Sequence, residues 1–100
     1  MKLEEQVKNI ASALEDAKAS DVKVYDMRGA AALADFYIVA TGAAAPHLKA
    51  LVRQLPKNAY RVSGDPESGW IVADYVDIVV HVFSPEARAY YALEKLWISA

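Results

Sequence analysis

The sequence predicts a single α/β domain in which helices pack on a mixed, mostly five-stranded β-sheet. Helical and strand periodicities follow one another along its 100 residues in the order α-β-β-α-β-β-β-α. Hydrophobic residues make up 55% of the composition, which is enough for one core, and no repeat or linker divides the chain. We therefore predict one domain over residues 1–100.

The bulk composition excludes several classes of function. With 11 basic and 13 acidic residues, a net charge of −2 gives no basic field for non-specific nucleic-acid binding and suits a basic partner surface. The absence of cysteine excludes a disulfide, a thiolate metal site and a thiol nucleophile, and it fits a reducing cytoplasm. No apolar run approaches the ~20 residues of a membrane span, and the acidic N-terminus is unlike a signal peptide. These features predict a cytoplasmic protein without a membrane partner.

The first half of the chain predicts two helices and two strands. Apolar residues three and four positions apart place one stripe on a helix that begins at Leu3 and ends before Ser20. The alternation in Val22–Met27 predicts a half-buried strand, and a short helical or turn-like bridge follows it. The continuous apolar run Phe36–Thr41 predicts a central strand buried on both faces. Pro46 suits the first turn of the second helix.

The second half of the chain predicts three strands and one helix. A short strand, Ala59–Ser63, is followed by the one long loop, Gly64–Gly69. An apolar β-hairpin, Trp70–Phe83, comes next. Residues Ser84–Glu86 then supply a capping hydroxyl, a proline at the first helical position and an acid near the positive helix end. We expect a single helix from there to Trp97.

Strand alternation sorts the hairpin into two faces. A turn made of Tyr75-Val76 alone pairs Trp70 with His81. One face is then purely aliphatic and must be core: Ile71, Ala73, Ile78, Val80 and Val82. The other face carries Trp70, Val72, Asp74, Asp77, Val79, His81 and Phe83. A four-residue turn gives the same facing, and we expect either that wider turn or mild strain, because β-branched Val76 resists positive φ.

The last helix predicts a packing stripe and an outward stripe. The packing stripe consists of Ala89, Tyr90, Leu93, Leu96 and Trp97. The outward stripe consists of Arg88, Tyr91 and Lys95. Glu94 lies one turn beyond Tyr90, where it can accept a hydrogen bond.

Few residues in the sequence suggest a catalytic, metal-binding or ligand-binding site. Asp74, Asp77 and His81 can be interpreted as an acid–base or metal cluster, but aspartates that flank a turn commonly cap its backbone. The segment Thr41–Ala45 lacks the second glycine, lysine and hydroxyl of a phosphate loop. Trp70 is open to two interpretations, ordinary core or a partly exposed interface anchor. A modest basic stripe predicts a solvated face, with contact to RNA as the alternative: Lys49, Arg53, Lys57 and Arg61.

Three ordered blocks carry a family resemblance. They are VYDMRG at 24–29, LADFYIVATG at 33–42 and GWIVADYVDIVVHVFSPEARAYYALEKLW at 69–97. In this order and spacing they resemble the ribosomal silencing factor (Iojap-like) family over Val7–Trp97. The resemblance implies a nucleotidyltransferase-like fold without a catalytic site, metal or cofactor. It also implies translational repression through binding to the fourteenth protein of the large ribosomal subunit, which sterically blocks joining of the small subunit.

The resemblance also implies a contact set for the ribosomal protein. The set comprises Trp70, Asp74, Tyr75, Asp77 and His81, with Arg88, Tyr91 and Glu94 as further candidates. A minor contact with ribosomal RNA and a homodimer of the free protein are additional expectations. Two alternatives stay open. One is a metal-dependent nucleotidyltransferase-like or hydrolytic enzyme that uses Asp74, Asp77 and His81, and the other is a dimerising scaffold domain without ribosome activity.

The chain departs from the family pattern at three places. Ala43–Pro46 stands where the family usually shows serines and an arginine, so a contact made there is in question. The helix ending at Leu55 and its connection to Tyr60 are shorter than usual. Val76 stands in the hairpin turn where glycine is usual. We expect His47, which follows the first departure, to be a surface residue at a helix start.

Overall fold

The computed structural model describes residues 2–30 and 32–98, the last of these by its backbone alone. Within these ranges, four α-helices and five β-strands confirm the predicted fold class. The helices are α1 Leu3–Asp16, α2 Ala45–Arg53, α3 Pro85–Tyr91 and α4 Glu94–Ile98. The strands are β1 Ser20–Asp26, β2 Phe36–Thr41, β3 Arg61–Asp65, β4 Trp70–Asp74 and β5 Ile78–Phe83. None of the helices in the described ranges has the length and apolar character that a bilayer crossing requires.

The sheet is mixed, with a parallel pair of strands at its centre. The strand order is β1-β2-β5-β4-β3, in which β2 and β5 are parallel and the other neighbours are antiparallel. The prediction that Phe36–Thr41 is a central strand is confirmed, since all its side chains except Tyr37 are buried. β1 is an edge strand with a bulge between Ser20 and Lys23, and it is therefore more exposed than the predicted half-buried strand.

The aliphatic face of the sheet carries the main core. Helices α1 and α2 pack on this face, and each sends fully buried leucines into it: Leu14, Leu48 and Leu51. The hairpin residues predicted to be core are all buried there: Ile71, Ala73, Ile78, Val80 and Val82. Burying a leucine side chain contributes about 2 kcal/mol, so this layer supplies much of the free energy of folding.

The register of the β4–β5 hairpin differs from the predicted one. Trp70 pairs with Phe83 rather than with His81, and Asp74 pairs with Val79. The connection is the wider turn, in which the Asp74 carboxylate accepts a hydrogen bond from the Val76 N–H at 2.7 Å. The predicted facing is nevertheless confirmed for the strand residues, because a shift of two residues returns each of them to the same face, whereas Asp77 lies in the turn.

The predicted single C-terminal helix is broken into α3 and α4. Ala92 adopts a left-handed conformation with φ of 48°, and its N–H donates to the Arg88 carbonyl as α3 ends. The predicted packing stripe is therefore wrong in part. Ala89 is exposed, Tyr90 is 81% exposed and Leu96 is 68% exposed. Arg88, predicted to face outward, is almost fully buried as a side chain.

Two connections also differ from expectation. The predicted loop Gly64–Gly69 is structured, because its first residues extend β3 and Pro66–Ser68 forms a 3₁₀ turn. Gly64 is required there: at φ of 100°, a Cβ would lie 2.3 Å from the Trp70 carbonyl oxygen. The bridge between β1 and β2 contains turns and bends over its described residues and no helix.

His47 lies in the first turn of α2, as predicted, but it is half-buried rather than fully at the surface and it joins two elements. Its Nδ1 accepts from the Ala43 N–H at 3.0 Å, and its Nε2 lies 2.9 Å from the Ala17 carbonyl oxygen. With Nδ1 accepting, the ring proton resides on Nε2 and donates to Ala17. The histidine therefore joins the start of α2 to the end of α1.

Val76 has φ of 73°, a conformation that costs a non-glycine residue about 1–3 kcal/mol. We expect Val76→Gly to raise the free energy of unfolding by about 1 kcal/mol, since glycine relieves the strain but loses more chain entropy on folding. Urea denaturation measures the change. Val62→Gly is the control, because Val62 is similarly exposed but lies in β3. Val62→Gly should lower the free energy of unfolding. A Val76→Gly protein that is less stable than the wild type would contradict the interpretation that Val76 is strained.

Candidate functional site

The second face of the sheet is aromatic and only partly covered by α3 and α4. Trp70 lies flat on Phe83, with ring centroids 5.2 Å apart, and Tyr91 of α3 covers it at 4.7 Å. Trp97 of α4 stacks on Tyr37 of β2 at 4.4 Å. Each pair spans two elements, so ring contacts fix both short helices to the sheet.

His81 lies at the centre of this face and is buried. Its Nδ1 accepts a hydrogen bond from the Trp70 indole Nε1 at 3.1 Å. The rings of Tyr37 and Trp97 flank it at 6.2 and 5.2 Å. Burial lowers the pKa of His81 to about 4, so the ring is neutral at physiological pH. The histidine is therefore a buried, uncharged part of the aromatic face.

An open groove runs beside the helices over the uncovered part of the aromatic face. We call it the aromatic groove; it is lined by Leu33, Tyr37, Tyr60, Asp74, Val76, Val79, His81, Leu93 and Trp97. Its rim is unusually exposed for apolar residues: Leu33 is 99%, Tyr60 76% and Val76 59% exposed. Clustered exposed hydrophobic side chains of this kind mark a surface that meets a partner.

Two acidic residues lie in or beside the hairpin turn, and one of them, Asp74, lines the aromatic groove. Asp74 is half-buried, and one of its oxygens is occupied by the Val76 N–H. Asp77 is exposed, while its carbonyl accepts from the N–H groups of Asp35 and Phe36. The backbone of the turn is therefore fixed to the start of β2, and the Asp77 carboxylate extends from a held position. The turn beside the groove suits a basic group.

Of the eight residues in the predicted contact set, two, Asp74 and His81, line the groove. Tyr75 lies on the other side of the sheet, where it packs against the aliphatic core and its hydroxyl donates to the Pro56 carbonyl at 2.6 Å. The side chains of Arg88 and Glu94 are only 11% and 20% exposed and bind each other. Trp70 and Tyr91 flank the covered part of the face, so Trp70 combines packing with partial exposure.

Arg88 is the centre of a buried polar network. Its guanidinium donates to both Glu94 carboxylate oxygens at 2.7 and 2.9 Å, to the Thr41 hydroxyl at 2.7 Å and to the Asp21 carbonyl at 2.8 Å. The Tyr25 hydroxyl donates to Glu94 as well. The network thus joins the two short helices to β1 and β2.

The charges of this network are set by its contacts. The hydrogen bonds from Arg88 lower the pKa of Glu94, so the carboxylate is ionised. Burial, together with the hydrogen bond to Glu94, raises the pKa of Tyr25 to about 12. Tyr25 therefore remains a hydrogen-bond donor at every physiological pH.

The proposed acid–base cluster finds no geometric support among residues 2–30 and 32–98. No three histidine or acidic side chains there come together as a metal site. The Nδ1 atom of His81 is occupied by Trp70, and Asp74 caps its own turn. These contacts match the structural interpretation of both residues.

Sequence reasoning missed most of the groove. Leu33, Tyr37 and Tyr60 come from three separate segments and meet only in the folded sheet. Tyr37 had a usable signal, because it alternates with Phe36 and Ile38 and must lie on the opposite face. Leu33 and Tyr60 had none, since single apolar residues are common on protein surfaces, and Tyr60 was predicted to lie in a strand that in fact begins at Arg61.

The fold and the groove define a small α/β protein with one exposed aromatic sheet face suited to a protein partner. The model of the family described as ribosomal silencing factor during starvation matches residues 1–100, and the chain belongs to this family. The predicted resemblance is thereby confirmed.

Relatives and a solved structure agree with this assignment. The chain is similar to ribosomal silencing factor RsfS of Halalkalibacterium halodurans, with 35% identity over 104 aligned positions covering 97% of this chain and 89% of that protein. It is 34% identical to RsfS of Bacillus subtilis, over 91% of this chain and 83% of that protein. A Chromobacterium violaceum crystal structure superposes with a TM-score of 0.89 at 34% identity, over 97% of this chain and 87% of that one.

The burial of His81 predicts a pH dependence of stability. The folded pKa of about 4 lies below the unfolded value of about 6.5, so the stabilising contribution is present above pH ~6.5 and is lost as the pH falls through about 4. We expect the wild type to lose up to about 3 kcal/mol relative to His81→Gln across this window. Glutamine keeps an acceptor for the Trp70 indole but does not titrate. Urea denaturation at several pH values measures this; parallel pH profiles would contradict it.

Proposed function

We propose that this protein represses translation by binding the large ribosomal subunit through its fourteenth protein, which sterically blocks joining of the small subunit. Membership of the ribosomal silencing factor family supports the proposal. The protein would act in the cytoplasm and without catalysis, because a steric block needs only a stably occupied surface.

The observation that carries the proposal is the exposed aromatic groove with acidic residues in or beside the hairpin turn. Leu33, Tyr60 and Val76 expose apolar area that folding alone does not require. Asp77 adds a negative charge beside them on a chain whose net charge is −2. A partner with an apolar ridge and neighbouring lysine or arginine residues would fill such a surface, and the charges would set its orientation and association rate.

The predicted contact set can now be arranged by location. Asp74 and His81 line the aromatic groove, Asp77 is exposed in the adjoining turn, and Trp70 with Tyr91 lies on the covered part of the face beside it. We propose that these five, together with the exposed rim, constitute the binding surface. Tyr75, Arg88 and Glu94 lie behind or beside it, held by contacts within the protein.

The rival enzymatic function makes a distinct prediction. An enzyme that uses Asp74, Asp77 and His81 with a metal would bind Mg²⁺, Mn²⁺ or Zn²⁺ at micromolar to millimolar concentration. We expect calorimetric titration with each metal to give no saturable heat and no change in melting temperature. Saturable binding that Asp77→Asn abolishes would support the enzyme and oppose the steric mechanism.

The binding surface is tested by co-sedimentation with purified large subunits. We expect Leu33→Ser and Asp77→Lys each to weaken binding about tenfold, because the first removes apolar contact and the second reverses a charge at the surface. Both side chains are exposed and make few internal contacts, so the fold should be retained. Trp70→Ala is less informative, since it also removes packing against Phe83.

Matched controls change the same residue types elsewhere. Leu96→Ser alters an exposed leucine that does not line the groove, and Glu15→Lys reverses an exposed acid on α1, which covers the opposite sheet face. Both controls should bind as the wild type does. Failure of the wild type to pellet with large subunits would refute the proposed function. Equal binding by all four variants would refute only the surface.

The steric step needs its own measurement. Mixing the two subunits with and without the protein in a sucrose gradient should show a smaller joined-ribosome fraction when the protein is present. Leu33→Ser should restore joining at protein concentrations where the wild type prevents it. Binding to large subunits without an effect on joining would leave the protein a ribosome-binding factor and refute the steric mechanism.

A further inference from the structure

The break between α3 and α4 depends on contacts beyond its own backbone. Ala92 has φ of 48° at the break, where no glycine relieves the left-handed conformation. The helix that follows, Glu94–Ile98, is far too short to be stable in isolation. Tertiary contacts must therefore fix both its existence and its direction.

The buried network supplies those contacts. Arg88, in the last turn of α3, donates hydrogen bonds to both carboxylate oxygens of Glu94 in the first turn of α4. This pair links the two helices across the break. The same guanidinium reaches the Thr41 hydroxyl and the Asp21 carbonyl, and Tyr25 holds Glu94 from β1. A bidentate guanidinium–carboxylate pair fixes angle as well as distance, which a single point charge does not.

The direction of α4 determines one wall of the aromatic groove. Leu93 at the break and Trp97 on α4 both line the groove. Trp97 lies on Tyr37, with ring centroids 4.4 Å apart, and within 5.6 Å of Tyr25. If α4 changed direction, the indole would leave this position and the groove would lose that wall.

We infer that Arg88 and Glu94 are positioning residues, which set the partner-binding surface by holding Trp97 in place without contacting the partner. This inference rests on the proposed function and assigns these two residues of the predicted contact set a different role. Their low exposure, 11% and 20%, agrees with action through another side chain.

A double-mutant cycle on ribosome binding tests the inference. We expect Glu94→Gln, which keeps an acceptor but loses the charged bidentate pair, to weaken binding about fivefold. Trp97→Ala should weaken binding at least as much. In the Trp97→Ala protein, adding Glu94→Gln should change affinity less than twofold, because the residue through which Glu94 acts is already absent. Additive losses would overturn the inference, since they would mean that Glu94 contacts the partner directly.

A second readout requires no ribosome. The chain has two tryptophans, so an NMR spectrum shows two indole N–H signals, which Trp70→Phe assigns. We expect Glu94→Gln and Arg88→Lys to shift and broaden the Trp97 signal, because the indole leaves the ring current of Tyr37, while the Trp70 signal stays near its original position. An unchanged Trp97 signal in both variants would overturn the inference.

The control is an exposed ion pair of the same type. Glu4 binds Arg28 at 2.9 Å on the surface, with both side chains about half exposed. Glu4→Gln should leave both the Trp97 signal and ribosome binding unchanged. If wild-type protein fails to bind ribosomes while the indole signals respond as expected, the proposed function fails and the positioning of Trp97 by the network stands. If binding weakens while the Trp97 signal is unchanged, the positioning fails and the proposed function stands.

Discussion

The parallel pairing of β2 with β5 is the constraint on which the rest of the structure depends. It places Phe36 beside Ile78 and Ala40 beside Val82 on one face, and Tyr37 beside Val79 and Thr41 beside Phe83 on the other. Because side chains alternate along both strands, a single register builds an aliphatic layer and an aromatic layer back to back. Parallel strands need a long crossover, and the chain supplies it with α2, β3 and β4, which also cover or extend the sheet. The composition of both faces is therefore determined by this one register.

The helices cover the two faces of the sheet to different extents. Helices α1 and α2 close the aliphatic face, and their leucines are fully buried. The aromatic face has only α3 and α4, two short helices that Arg88 and Glu94 join. Aromatic rings with polar edges suit a half-covered face, since the Tyr25 hydroxyl and the Trp70 indole both find partners. The larger buried cluster therefore lies on the aliphatic face, whereas the aromatic face holds a smaller one and stays partly uncovered.

Sequence patterns predicted what depends on local periodicity and missed what depends on distant contacts. The fold class, the central strand Phe36–Thr41 and the two-faced hairpin follow from alternation and apolar runs, and all are confirmed. The register of the shortest turn is wrong, and the wider turn that the sequence left open is present, with the Asp74 carboxylate bound to the Val76 N–H. The helix break at Ala92 has no sequence signal, since its cause is the reach of Arg88 to β1 and β2, far away in the chain. The predicted binding surface lacked several groove residues for the same reason, because they come from segments that are distant in the chain.

The local irregularities of the structure point to the same surface as the groove does. Among the described residues, four non-glycine residues have positive φ, and two of them, Val76 and Ala92, line the groove or immediately precede a residue that does. Leu33, the most exposed of the large apolar residues, lies on its rim. The positive φ angles cost free energy on folding, and the exposed Leu33 side chain gains none from burial. Strain and exposure that coincide on one face are expected where a partner completes the structure. The aromatic face is thus the incompletely covered layer of the domain, and in the proposed function a docked partner would cover the part that α3 and α4 leave open.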